Sequence, residues 1–97
     1  MTLEELYKII EDRKKNLPKN SYVASLFKQG QDRIIQKVGE ESIEVVIAAK
    51  NKNRKEIISE ITDLLFHLLV LMSQLKISFL DIFKEFDKRK IKYLRKF

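Results

Sequence analysis

"KVGEESIEVVIAAK", residues 37–50, decides how this chain is read. Its apolar residues recur at helical spacing, yet Glu40, Glu41 and Glu44 stand among them within five positions. A helix turns about 100° per residue, so the three glutamates fall within about 100° of arc. Arg33, Lys37 and Asn51 share their stripe. Ile34, Ile35, Val38, Val45, Val46 and Ala49 lie on the opposite side and form the expected core face. Ile43 and Ile47 flank the acids on the side that should be wet, so the acid face is expected to be partly covered.

The stretch "EITDLLFHLLVLM", residues 60–72, repeats the anomaly in a greasier setting. Between positions 57 and 72 the polar residues are Ser59, Glu60, Thr62, Asp63 and His67 alone. Glu60, Asp63 and His67 are spaced i, i+3, i+7 and share one stripe, with Ile57, Leu64 and Leu71 close beside it. A helix apolar nearly all round is expected to be buried. A buried carboxylate is costly unless it is paired or holds a metal.

Around these two stretches the chain reads as helical throughout. Two glycines and one proline in 97 residues leave little room for hairpins, and no alternation of period two is sustained. A first helix is expected over residues 2–15, with Thr2 and Glu5 as a capping box and Leu3, Leu6, Tyr7 and Ile10 as its stripe. Pro18 restricts Leu17 before it and breaks the chain. Ser21 or Ser25 caps a short helix that Gly30 ends. Long helices follow over 31–50, with Gly39 inside, and 54–75, separated by "NKN". Ser78 with Asp81 caps a last helix carrying Phe79, Ile82, Phe83 and Phe86 at core spacing. The expectation is one all-α domain over residues 1–97, an antiparallel bundle of four to five helices.

Bulk properties exclude some classes. There are no cysteines, so neither disulfides nor a cysteine-ligated zinc is available. The acidic start "MTLEELYKII" lacks a signal-peptide core. The greasiest run, nine residues from 64 to 72, includes His67, whereas a membrane span needs about 20 apolar residues. A soluble, cytoplasmic protein with no membrane partner is expected. The net charge is +6, and residues 88–96 carry six of the 20 Lys and Arg. Such a run suits a solvated helix end. A basic helical dimer that binds nucleic acid is the rival, but it gives no reason for the acids of the two long helices.

Glu41 and Glu44 are one turn apart, as are Glu60 and Asp63. With the long helices antiparallel, the four carboxylates face one another across a groove. Carboxylates without cysteine are hard ligands that suit Mg²⁺ or Mn²⁺, and Mg²⁺ usually shares its shell with substrate phosphates. Ion pairs to Lys37, Lys50 or Lys52 are the competing explanation. His67 reads as a hydrogen-bonded core histidine, with metal ligation or substrate orientation as alternatives.

Together, "SYVASLF", "KVGEESIEVVIAAKN" and "DLLFHLLVL" resemble the phosphoribosyl-ATP pyrophosphatase family, within the all-α MazG-like nucleotide pyrophosphohydrolases. The resemblance covers about residues 6–81. The superfamily's ExxE and ExxD motifs land on Glu41, Glu44, Glu60 and Asp63. The resemblance implies Mg²⁺-dependent hydrolysis of 1-(5-phospho-β-D-ribosyl)-ATP to the AMP compound and pyrophosphate, the second step of histidine biosynthesis. It implies Glu40 or Glu44 as general base, and Lys37, Lys50 and Arg13 as phosphate contacts. It also implies that Asn51 contacts ribose or phosphate and that Ser21 and Tyr22 help hold the substrate. A homodimer is implied too, in agreement with the apolar surface of the 54–75 helix, which exceeds what one small bundle can cover. Phe66 stands where the family often has tyrosine, and nothing here resembles the zinc-binding cyclohydrolase domain fused to some relatives. A house-cleaning (d)NTP pyrophosphohydrolase of the same fold would use the same acids and is the alternative activity.

Overall fold

A computed structural model describes residues 1–94 and contains five helices: α1 (Leu3–Asn16), α2 (Tyr22–Gln29), α3 (Gln31–Asn51), α4 (Arg54–Gln74) and α5 (Phe79–Leu94). The fold is all-α, with no strand among the described residues. The basic run extends past this limit, and its Arg95 and Lys96 lie outside the described residues.

Four of the five starts are set by a short polar side chain; α3, which follows Gly30, has no side-chain cap. Thr2 accepts from the Glu5 amide at 3.1 Å, Ser21 from Ala24 at 3.1 Å and Asn53 from Glu56 at 3.2 Å. Of the two serines that could cap α2, Ser21 does so; Ser25 instead donates to the Tyr22 carbonyl. Ser78 and Asp81 bond reciprocally at 2.8 and 3.1 Å ahead of α5. These bonds satisfy amides that a helix start otherwise leaves open. Asp81 is held below the usual carboxylate range, first by the Ser78 amide and then by its hydroxyl.

Gly30 alone joins α2 to α3, at φ 99°, ψ 174°, a positive-φ conformation that glycine adopts without a Cβ penalty. Leu17 departs from the extended conformation expected before proline. It sits at φ 45°, ψ 55°, because its N–H closes α1 onto the Arg13 carbonyl as a left-handed cap.

The core is small. Ile10, Leu26, Ile34 and Val70 are fully buried, with Leu69 nearly so, which ties α1, α2 and α3 around the C-terminal half of α4. Each such side chain contributes about 1.5–3 kcal/mol relative to exposure. A polar latch reinforces the α1–α4 contact. Buried Ser73 donates to Glu11 at 2.9 Å, Lys14 donates to the Ser73 carbonyl at 2.7 Å, and Tyr7 donates to the Ile77 carbonyl at 2.7 Å.

Three expectations about burial are corrected. The inward stripe of α3 is Ile34, Glu41 and Ala48, spaced seven apart, while Ile35, Val46 and Ala49 are exposed. α3 is apolar on two sides, so projection alone could not tell which side α4 takes. The helix over 54–74 is buried along one side only; Ile58, Ile61, Leu65 and Leu68 face outward, and so does Asp63. α5 contributes no buried residue: Phe83 and Phe86 are exposed, and the helix leaves α4 at a bend of 106° rather than folding back antiparallel. It meets the bundle through Phe79, edge-on to Tyr7 at 5.3 Å. These exposed faces reflect a chain too small to enclose all its apolar residues.

Candidate metal centre

α3 and α4 share the longest seam of the fold, joined by a turn in which Lys52 takes φ 59°. That short link brings the middle of one helix against the first half of the other. Glu41, Glu60 and Asp63 converge there, each offering one carboxylate oxygen, with those oxygens within 4.8 Å of one another. Glu41 is only 6% exposed, Glu60 is half-buried and Asp63 is exposed.

Lys37 approaches Glu41 Oε1 at 3.3 Å, one turn away on α3. Burial works against the lysine's charge, but the Glu41 hydrogen bond and the fields of Tyr22, Glu41 and Glu40 outweigh it, so its pKa is raised. One cation therefore faces three acids. Glu41 Oε2 and Glu60 Oε2 are both buried and have no hydrogen-bond partner. Buried polar atoms are normally satisfied, so two orphaned acceptors side by side need an external partner. A divalent cation fits: it meets several acceptors at once, and oxygen-only ligands suit a hard ion. The ion-pair explanation covers only Glu41 Oε1; no ion pair from Lys50 or Lys52 to these acids occurs among the described residues.

Glu44 lies outside that group of three. It is exposed and lines an adjoining cavity of about 130 Å³ with Ile47, Ala48, Glu56 and Glu60. Glu56 was not singled out from the sequence, although its i, i+4, i+7 spacing with Glu60 and Asp63 was a usable signal. Glu40 is half-buried, with Arg33 and Gln36 each 3.5 Å from its Oε1.

The expected substrate contacts are scattered. Lys37 borders the cluster through Glu41, whereas Tyr22 is linked to it only by way of His67. Tyr22 places its hydroxyl 3.0 Å from His67 Nε2, and the His67 Nδ1 lies 2.7 Å from the Asp63 carbonyl. Ser21 caps α2 just before Tyr22. Lys50 and Asn51 are exposed at the end of α3. Arg13, on α1, is paired with Asp12 at 2.9 Å. The linkage of His67 to Tyr22 was not legible in the sequence, because 45 residues separate the two.

The class is that of all-α proteins with a carboxylate cluster between two long helices, a donor set whose chemistry suits a hard divalent cation. A family model described as phosphoribosyl-ATP pyrophosphohydrolase matches residues 3–90. The chain belongs to that family. It is 54% identical over 87 residues to the phosphoribosyl-ATP pyrophosphatase of Leptospira biflexa, covering 90% of this chain and 95% of the relative. It is 47% identical to the protein of that name from Methanocella arvoryzae, covering 91% and 95% respectively. With the one from Clostridium novyi it shares 47% identity, covering 93% of this chain and 82% of the relative.

Proposed function

We propose that this chain hydrolyses 1-(5-phospho-β-D-ribosyl)-ATP to 1-(5-phospho-β-D-ribosyl)-AMP and pyrophosphate, in the cytoplasm, as the second step of histidine biosynthesis. The observation that carries the metal-dependent form of this reading is the pair of orphaned oxygens, Glu41 Oε2 and Glu60 Oε2, beside Asp63. The substrate rests on family membership and on the names of the relatives.

Glu41, Glu60 and Asp63 would hold Mg²⁺ (or Mn²⁺), with Glu44 reaching in from the adjoining cavity. Bound Mg²⁺ supplies Lewis-acid neutralisation of charge on the triphosphate oxygens. Glu44 is the better placed of the two candidate bases. It is exposed, and no ion pair or hydrogen bond engages it among the described residues, whereas Arg33 and Gln36 hold Glu40. A water oxygen then forms a bond to phosphorus, its proton passes to Glu44, and pyrophosphate departs. Lys37 stays beside Glu41 as a fixed positive charge facing the phosphates. Lys50 and Asn51, at the end of the same helix, are left to the outer phosphates and ribose.

The open faces of α3 and α4 are covered by a second copy. Ile43, Val46, Ile47, Ile58 and Ile61 are all exposed on the single chain, and monomers seldom leave so many large apolar residues uncovered. Light scattering should give twice the 11.6 kDa chain mass; a monomer at micromolar concentration removes this part.

The deciding assay is pyrophosphate release from phosphoribosyl-ATP with Mg²⁺, with EDTA, and with dNTPs as competing substrates. Release that stops with EDTA is the expected result. Full activity in EDTA defeats the metal role, and faster turnover of dNTPs hands the site to the house-cleaning reaction.

A further inference from the structure

A cavity of about 530 Å³ opens between the start of α1 and the middle of α4. Leu6 and Phe66 line it, and both pack against the core. Phe66 is held in turn by Tyr22, stacked at 5.9 Å, and by His67, edge-on at 4.9 Å. Thr2, Thr62 and Asp63 add polar groups to the lining. Leu3 and Leu65 also line it and are exposed, so the cavity is open to solvent. Size and lining fit a small-molecule site, since such sites run from about 300 to 1,000 Å³ and are mostly apolar with a few polar groups.

Asp63 belongs to two places at once. It lines this cavity, and it offers an oxygen to the cluster with Glu41 and Glu60. Along α4, Glu56, Glu60, Asp63 and Phe66 follow one another about a turn apart. The acids therefore stand between the α3–α4 turn on one side and the cavity on the other. A molecule whose phosphates reach the cluster can place its next groups at the cavity mouth.

A second copy and a ligand compete for such a hollow. The neighbouring groove between α4 and α5, with Leu68, Met72, Phe83 and Phe86 in its lining, is apolar throughout and suits a protein face. The α1–α4 cavity is not: a protein face laid over it would bury the Asp63 carboxylate at a cost. A flat aromatic ring tethered to phosphates fills it and leaves Asp63 to the cluster.

We infer that this cavity takes the adenine ring of the substrate, with Leu6 and Phe66 as its apolar walls, and that the triphosphate runs from Asp63 towards the α3–α4 turn. This rests on the hydrolase reading above. The direction puts the departing pyrophosphate at the Lys50 end of α3 and the retained nucleotide beside α1. Of the two contacts open to Asn51, phosphate is the one it allows. The phosphoribosyl group carried by the ring leaves past Leu3 and Leu65.

AMP and pyrophosphate, each with Mg²⁺, test the two halves separately. Nuclear Overhauser contacts should join the adenine ring protons of AMP to Phe66 and Leu6. Phe66→Leu keeps an apolar side chain but removes the ring, and should weaken AMP binding about tenfold, the scale of one base–aromatic stack. Thr62→Trp fills the cavity from an exposed helix position that does not threaten folding, and should weaken AMP by at least about as much. Both variants should bind pyrophosphate as the wild type does. Overhauser contacts from adenine to other residues overturn the inference. So does wild-type AMP affinity in either variant, or equal loss of AMP and pyrophosphate in a variant with wild-type helical circular dichroism. Contacts of Leu6 and Phe66 with a second copy, seen in a mixed isotope-labelled sample without nucleotide, give the hollow to the dimer and overturn it too. Wild-type protein that releases pyrophosphate from phosphoribosyl-ATP but shows none of the AMP contacts loses this inference alone. Wild-type protein that releases none loses the hydrolase reading and the inference with it.

Discussion

Two polar clusters flank α4, and they are built on opposite plans. Towards its C-terminal end, Ser73, Glu11 and Lys14 satisfy one another, and Tyr7 beside them bonds the Ile77 carbonyl: the acid has a lysine at 3.2 Å and a hydroxyl at 2.9 Å. Towards its N-terminal end, Glu41, Glu60 and Asp63 crowd together, with Lys37 as the paired cation and two oxygens left without donors. Both clusters bring carboxylates into a partly buried seam. Only the first is complete within the chain. A closed network stabilises the fold, whereas an open one asks for a ligand, and the count of unmet acceptors separates the two better than the presence of acids does.

Damage to the open cluster should therefore cost activity and spare the fold. Asp63→Asn should lower turnover of phosphoribosyl-ATP by roughly a thousandfold or more, as loss of a group that holds the metal would. Its helical circular dichroism should match wild type; near-normal turnover would make the cluster structural and erase the contrast. Next in size is the ligand itself. Mg²⁺ at about a hundred times its Kd should stabilise the wild-type chain by about 2.7 kcal/mol, seen as a rise in Tm that Asp63→Asn loses. An equal rise in both proteins would mean that the ion binds elsewhere.

The closed cluster should respond in the reverse sense. Ser73→Ala removes a fully buried hydroxyl and one of Glu11's donors, at a cost of about 1–2 kcal/mol. For a chain of this length that lowers Tm by roughly 4–15 °C, with kcat unchanged. A large fall in kcat would tie the latch to the site.

The smallest effect is on pH. Burial works to raise the Glu11 pKa, but the Ser73 and Lys14 hydrogen bonds, the Lys14 charge and Tyr7 outweigh it, and the value falls below the ordinary 4.5. Its contribution is complete above 4.5 and is lost as pH falls through the depressed folded value. Tyr7 moves the other way. Burial first, then the Glu11 charge, push it up to about 12 from 10.0. Its contribution is complete below 10 and disappears as pH rises towards 12. Thermal melts across pH should show the wild-type advantage over Glu11→Gln shrinking at the acid end. A gap that stays constant with pH would remove the charge from the latch.

Much of this was readable from residue order, and the part that was not has one cause. Caps were legible because they act within four residues: Ser21 and the Ser78–Asp81 pair bond as their spacing suggests, and Thr2 accepts from the Glu5 amide, although the return bond of a full capping box is not among the hydrogen bonds of the described residues. The convergence of Glu41 with Glu60 and Asp63 was legible because the short "NKN" connection leaves the two long helices few ways to pack. The facing of α3 was not. With Ile34 and Ile35 adjacent, and Ile43 and Ile47 beside the acids, periodicity marks two apolar stripes without ranking them. The stripe that looked like core is split, with Ile34 buried but Ile35, Val46 and Ala49 open, and of the three glutamates Glu41 alone turns fully inward while Glu44 stays exposed. The same ambiguity made α4 look fully enclosed and placed Phe83 and Phe86 in a core they do not enter. Pairings across the fold, such as Ser73 with Glu11 or Tyr22 with His67, carry no local signature at all.

Gly39 gives the open stripe of α3 a shape as well as a composition. It falls one turn from Ile35 and one turn from Ile43, both exposed, and a Cβ built there meets nothing within 4 Å. A glycine inside a helix is about 1 kcal/mol worse than alanine, so the single chain gains nothing from it. What the missing side chain leaves is open space between two exposed isoleucines one turn away on either side. The same atom-sized gap that weakens α3 by itself would set how closely two copies approach. Gly39→Ala would then separate folding from association, firming the helix while loosening the pair.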